Sequence, residues 1–122
     1  MTTPQRAQGQ RCEAIAEAHL ARHGLVPIAR NFSCRFGELD LVMRERDTLV
    51  VVEVRARAPS AFGSAAESIG PRKRARVARA AAALLGARPE FAALRVRFDV
   101  VAIEVGGDAP RIEWLRAAFD AA

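Results

Sequence analysis

Residues 48 to 57, TLVVVEVRAR, constrain this chain more than any other stretch, because so long a β-branched run reads as an extended strand at the centre of a sheet. Such a strand seldom carries a carboxylate without a reason, yet Glu53 stands within it. The string GELDLV, residues 37 to 42, repeats the pattern with Asp40. Only a short turn around Asp47 separates the two strings. They are therefore expected to pair as antiparallel neighbours, with Asp40 and Glu53 converging on one end of the sheet. Alternation puts Glu53, Arg55 and Arg57 on one face and Val52 and Val54 on the other, which predicts one polar face and one core face. Two converging carboxylates suit a hard divalent cation, which takes oxygen ligands directly and replaces the hydration lost on burial. The same spacing also fits an amphipathic hairpin whose charges pair across the strands.

Around this hairpin the elements read in the order α, β, β, β, α, β. A helix is expected over residues 4–23, with Cys12, Ile15, Ala16, His19 and Leu20 on one stripe and Gly24 as its stop. Strands follow at 25–32, 37–43 and 48–57. A connection rich in proline, glycine and serine fills 58–71, either as a plain surface loop or as a segment touching substrate beside the carboxylates. Pro71 then opens a second helix over 71–87. A fourth strand is read at 95–105, before the Gly106–Gly107 turn, and the tail 111–120 is expected to dock Trp114, Leu115 and Phe119 as a short strand and turn. A three-stranded meander cannot bury both of its faces, so the two helices must cover the sheet in an α/β sandwich. At 122 residues the chain has room for a single domain, 1–122.

A net charge of +5 favours a polyanionic partner, with nucleic acid as the first expectation. Arg72, Arg76 and Arg79 share one face of the second helix, opposite Val77, Ala81, Leu84 and Leu85. That stripe suits contacts to a phosphate backbone, and it equally suits a solvated surface. Lys73, the only lysine among nineteen basic residues, stands beside the stripe, and Arg57 is the arginine expected near the carboxylates. Cys12 and Cys34 have neither CxxC spacing nor clustered histidines, which excludes a zinc or disulfide framework and leaves two reduced thiols. No stretch reaches bilayer-spanning length and no signal-like apolar run opens the chain, so a cytoplasmic protein without membrane contact is expected. Asp99 is expected to pair with a neighbouring arginine, and His19 and His23 to be structural.

Taken together, Glu13 followed by Ala16 and Leu20, then Arg30 and Asn31, then GELDLV, VVEVRAR and RFDVV at 97–101, resemble the YraN family over nearly the whole chain. That family looks like a member of the restriction-endonuclease-like, PD-(D/E)xK superfamily, similar in motif order to archaeal Holliday junction resolvases. The resemblance implies a restriction-endonuclease-like αβββαβ core, a mixed sheet flanked by helices. It also implies metal-dependent hydrolysis of phosphodiesters in DNA, branched or damaged DNA included, with Mg²⁺ or Mn²⁺ as cofactor. Residue by residue, it makes Glu13 the helix carboxylate, Asp40 and Glu53 the metal-binding side chains, Val54 the donor of a backbone carbonyl to the metal, and Arg55 the occupant of the usual lysine position. Glu17, one turn from Glu13, offers an alternative helix carboxylate. Glu38 shares a face with Asp40 and is read either as an assistant to a second metal or as an ion-pair partner. A homodimer fits cleavage of both strands.

The departure at position 55 has consequences. A guanidinium does not give up its proton, so Arg55 can stabilise charge but cannot act as a base. A catalytically impaired nucleic-acid-binding module of the same fold is therefore the rival expectation. Lys73, on the next helix, remains as an ammonium arriving from another direction.

Overall fold

The computed structural model describes residues 3–57 and 69–120. Thr3 caps helix α1 (Pro4–Arg22), its hydroxyl accepting from the Arg6 N–H at 3.1 Å, and Gly24 follows the helix at φ 93°. Strands β1 (Val26–Cys34), β2 (Gly37–Glu45) and β3 (Thr48–Arg57) form an antiparallel meander. Helix α2 (Pro71–Ala87) carries the chain across the sheet to β4 (Arg95–Glu104), which runs parallel to β3. A parallel pair needs such a crossover. Strand β5 (Arg111–Phe119) returns antiparallel to β4, completing a sheet of order β1-β2-β3-β4-β5. The expected αβββαβ core is present, as a mixed sheet flanked by two helices.

The helices cover opposite faces. Helix α1 lays Cys12, Ala16 and Leu20 on Leu41, Met43, Val50, Val52, Val101 and Ile103. Helix α2 lays Val77, Ala80, Ala81 and Leu84 on Leu39, Val42, Leu49, Val51, Phe98 and Val100. Strand β3 is therefore core on both sides, which corrects the expectation of one polar face. Leu49 and Val51 alternate with Glu53 on the α2 side and are wholly buried, and the strand turns polar on that side only from Glu53 onward. A strand with a parallel neighbour and helices on both faces reads as a near-continuous apolar run, which is what LVVV is.

The tail is a full nine-residue strand rather than a short strand and turn. Asp99 explains the difference. Its carboxylate is 0 % exposed and accepts four hydrogen bonds: from Arg97 Nε at 2.9 Å and Nη2 at 3.0 Å, from Trp114 Nε1 at 2.9 Å, and from the Ala117 N–H at 2.9 Å. The last donor sits where the β4–β5 register shifts, and Ala117 takes a left-handed φ of 50° to reach it. The Arg97 pair bears out the expected ion pair. The donors on β5 were not legible because they lie well downstream of Asp99 and carry little alternation of their own. Replacing Asp99 by alanine leaves an indole N–H and a backbone N–H without acceptors and the partly buried Arg97 guanidinium with Glu45 alone. Urea denaturation of Asp99→Ala is expected to show a stability loss of about 3–5 kcal/mol. A loss below about 0.5 kcal/mol, as for an ordinary surface change, would show that β5 does not depend on this carboxylate.

Candidate metal centre

The hairpin of β2 and β3 opens at one end. Its paired residues run from Glu45–Thr48 to Leu41–Val52, and the next two residues in that register, Asp40 and Glu53, lie beyond the ladder. Strand β2 changes phase there: Leu39 packs on the α2 side and Leu41 on the α1 side, although two residues of a regular strand share a face. Asn31 of β1, between the pairs Arg30–Leu41 and Phe32–Leu39, shows the same distortion as a left-handed φ of 56°. Carboxylates occupy the opening. The Asp40 N–H donates to Glu53 Oε2 at 3.4 Å, and the Val54 N–H donates to Asp40 Oδ2 at 3.0 Å.

The two helices reach this opening from opposite faces. On the α1 side, Glu13 lies between Cys12 and Ala16 on the buried stripe and is 8 % exposed. One carboxylate oxygen from each of Glu13, Glu38 and Asp40 lies within 4.8 Å of the others. Beside them is a cavity of about 270 Å³ lined by Arg6, Gly9, Gln10, Glu13, Asn31 and Glu38. Glu17 diverges and pairs with Arg30, so the helix carboxylate at the site is Glu13, as the resemblance implies. On the α2 side, Lys73 Nζ stands 3.2 Å from Glu53 Oε1. The contact is an ion pair between a part-exposed ammonium and a buried carboxylate, while on the other side Glu13 Oε1 is buried with no hydrogen-bond partner.

Electrostatics follow from this crowding. Burial, and then the neighbouring Asp40 charge, push the Glu53 carboxyl up to about 7, against the opposing Lys73 ammonium and Asp40 N–H. Burial also raises Asp40, opposed first by the Val54 N–H and then by Lys73 and Arg55. Glu13 is raised by burial and by Asp40, with an Asn31 hydrogen bond working the other way. Four carboxylates, of Glu13, Glu38, Asp40 and Glu53, are thus gathered near the cationic side chains of Lys73, Arg55 and Arg30. All the open donors are carboxylate oxygens, the set that Mg²⁺ and Mn²⁺ take.

The remaining expected residues divide. Arg72, Arg76 and Arg79 are exposed on α2, and a Cβ at Gly37 would lie 4.0 Å from the Arg76 Cβ, which puts Arg76 beside the start of β2. The Arg57 guanidinium lies 3.9 Å from Glu113 of β5. Lys73, read from the sequence either as a phosphate contact beside the stripe or as an ammonium arriving from the second helix, is turned toward Glu53. The connection 58–68 lies outside the described residues. Glu38 and Asn31 carried weak signals, a parity shared with Asp40 in one case and none in the other. A second, apolar groove of about 430 Å³ between α2 and the β4–β5 pair contains Ala81, Leu85, Val96, Phe98 and Phe119 but none of the carboxylates. Among the described residues no helix is long and apolar enough to cross a membrane.

An αβββαβ core whose central hairpin opens onto inward-facing carboxylates is the restriction-endonuclease-like class of α/β domain. Within that class, the chain belongs to the uncharacterised protein family UPF0102, whose model matches residues 12–103, from the carboxylate-bearing helix through β4. The YraN resemblance fits that family. Similar proteins include UPF0102 proteins of Bordetella avium (54 % identical over 117 residues, 96 % of this chain and 77 % of the relative) and Ectopseudomonas mendocina (50 % over 113 residues, 93 % and 94 %). A UPF0102 protein of Pseudomonas aeruginosa is 46 % identical over 118 residues, 95 % of this chain and 94 % of the relative. These names assign no reaction, so the chemistry must be argued from the carboxylates.

Raised carboxyl pKa values mean that the native metal-free protein holds protons the unfolded chain has released. The stability they contribute is complete below the ordinary glutamate value of 4.5 and is lost as pH rises through about 7. In EDTA, Glu53→Gln is expected to abolish part of this fall, on the order of 2–3 kcal/mol, in urea midpoints measured from acid to mildly alkaline pH. An unchanged pH slope in the variant would contradict the assignment.

Proposed function

We propose that this chain is a metal-dependent phosphodiesterase acting on DNA, branched or damaged DNA included. The observation that carries the reading is the Glu53 carboxylate, 1 % exposed beside Asp40. A buried acid is normally satisfied by several donors, and Glu53, held by a long Asp40 N–H bond and the Lys73 ion pair beside a second carboxylate, fits a cation ligand. Asp40 and Glu53 would hold Mg²⁺ or Mn²⁺, with Glu13 and Glu38 closing the α1 side and the Val54 carbonyl as the backbone ligand. When bound, the ion supplies Lewis-acid polarisation of the scissile phosphate and of the attacking water.

The chain's own groups have separate tasks. The Val54 N–H fixes Asp40 in the plane of the opening, and the Asp40 N–H fixes Glu53, so both carboxylates are oriented by the backbone. Arg55 stabilises charge as a lone pair of the water oxygen forms the new bond to phosphorus. The electron pair of the broken P–O bond leaves with the alkoxide, which takes up a proton, while the water's surplus proton passes to solvent. The products are a phosphomonoester and an alcohol. Arg72, Arg76 and Arg79, with Arg57, bind the phosphate backbone. A homodimer would set two such sites on one duplex.

Cleavage of single-stranded, duplex and junction DNA in Mg²⁺ or Mn²⁺ is the direct measurement. Activity is expected to vanish in EDTA and to fall at least about hundredfold in Asp40→Asn and Glu53→Gln, beyond the loss typical of residues outside the ligand set. Cleavage indifferent to both substitutions would reject the reading. DNA binding without Mn²⁺ uptake in calorimetry would instead support the impaired binding module, the reading that Arg55 favours. Separately, replacing Arg72, Arg76 and Arg79 together by alanine should lower the slope of log affinity against log salt by about three, one per lost phosphate contact.

A further inference from the structure

We infer that Lys73, brought in on the first turn of α2, serves at the scissile phosphate in the place of the lysine that β3 lacks at position 55. This rests on the hydrolytic reading above and assigns one residue within it. Lys73 is set apart from the exposed arginines around it by where its ammonium lies. Nζ is 3.2 Å from the Oε1 of a glutamate that is 1 % exposed, while the lysine side chain itself remains 32 % exposed. It therefore bridges the buried carboxylate and the solvent from which a phosphate would approach.

Its origin is rigid. Pro71 sets the first helical turn, and Arg74 Nε donates to the Ile69 carbonyl at 2.8 Å, which ties that turn to the segment before it. A side chain on a packed helix holds its geometry better than one on a loop. Arg55 offers a poorer match. Its Nε is buried without a hydrogen-bond partner, and among the described residues it makes no hydrogen bond to Asp40 or Glu53. A planar guanidinium spreads five donors over a fixed fork, whereas an ammonium is a compact charge with three rotatable donors. One donor can stay with Glu53 while the others meet a phosphate oxygen and the attacking water. Consistent with this placement, the Lys73 charge counteracts burial at both Asp40 and Glu53.

The test compares Lys73→Gln, Lys73→Met, Lys73→Arg and the double variant Lys73→Gln/Arg55→Lys in steady-state DNA cleavage, with Mn²⁺ calorimetry on each. Lys73→Gln and Lys73→Met are expected to lose about 10²–10³-fold in kcat with KM within a few-fold, the size of a lost transition-state donor. Lys73→Arg should remain impaired. Mn²⁺ should bind severalfold more tightly to Lys73→Met, since a positive charge beside a ligand oxygen has gone, and this readout needs no turnover. A salt-dependent rise in KM with kcat retained would make Lys73 a backbone contact like Arg72 and overturn the inference. Rescue of Lys73→Gln by Arg55→Lys would support the inference, because it returns to β3 the ammonium that Lys73 replaces. Should Asp40→Asn be inactive while Lys73→Gln keeps its kcat and Mn²⁺ affinity, only the Lys73 assignment falls; should Asp40→Asn cleave normally, both fall.

Discussion

The parting of β2 from β3 beyond Leu41–Val52 is the constraint from which the rest of the site follows. In an unbroken ladder Asp40 and Glu53 would be a register pair, with both side chains on one face of the sheet. Here the ladder is replaced by a reciprocal exchange in which an N–H at each strand end bonds the carboxylate of the other strand. Charge-assisted bonds of this kind are stronger than neutral ones, and they offset part of the burial. They do not offset all of it, which is why both acids remain harder to ionise than in water. One local break thus produces an opening, two oriented carboxylates and a standing demand for positive charge.

The surrounding fold makes that opening accessible from two directions. Because β3 is central, with α1 on one face and α2 on the other, a gap at its C-terminal end lies between the two helices. Glu13 enters from one side and Lys73 from the other, each fixed by a helix whose buried stripe is anchored in its own half of the core. The apolar run of β3 and the Asp99 lock on β4 and β5 give these helices a stiff platform. The outer strands are interrupted as well, β1 by an irregularity at Pro27 and β5 by its bulge, a common way to discourage edge pairing.

Much of this was legible in the sequence because the strongest signals are periodic and local. The β-branched run located β3, GELDLV located β2, Pro71 located α2, and the short turn at Asp47 forced Asp40 toward Glu53. The polar face assigned to β3 was wrong for a physical reason: alternation of Glu53, Arg55 and Arg57 was read without the preceding Leu49 and Val51, which share their face and demand a covering helix. Glu38 and Lys73 were ambiguous because parity and helical phase fix the direction of a side chain but not its partner across the fold. The contact of Arg57 with Glu113 was not legible because β5 was foreseen only as a short strand and turn. Nothing in the string RNF announces the left-handed Asn31, since that conformation answers a phase change in the neighbouring strand.

The comparison of Asp99 with Glu53 bears most directly on whether the carboxylate cluster is functional or incidental. The two acids stand on neighbouring strands one register step apart, Asp99 opposite Val52 and Glu53 opposite Val100, and both are almost wholly withdrawn from water. Asp99 is closed by four donors from three residues, so the fold has the means to satisfy a buried carboxylate completely. At Glu53 it provides one long backbone bond and a single, partly solvent-exposed ammonium. A structural acid kept on such terms would cost stability for no return, and the Asp99 arrangement shows that this sheet has a better solution at hand. That contrast marks the Glu53 cluster as the place where this fold leaves a buried carboxylate incompletely satisfied, which is the feature the proposed metal-ligand role draws on.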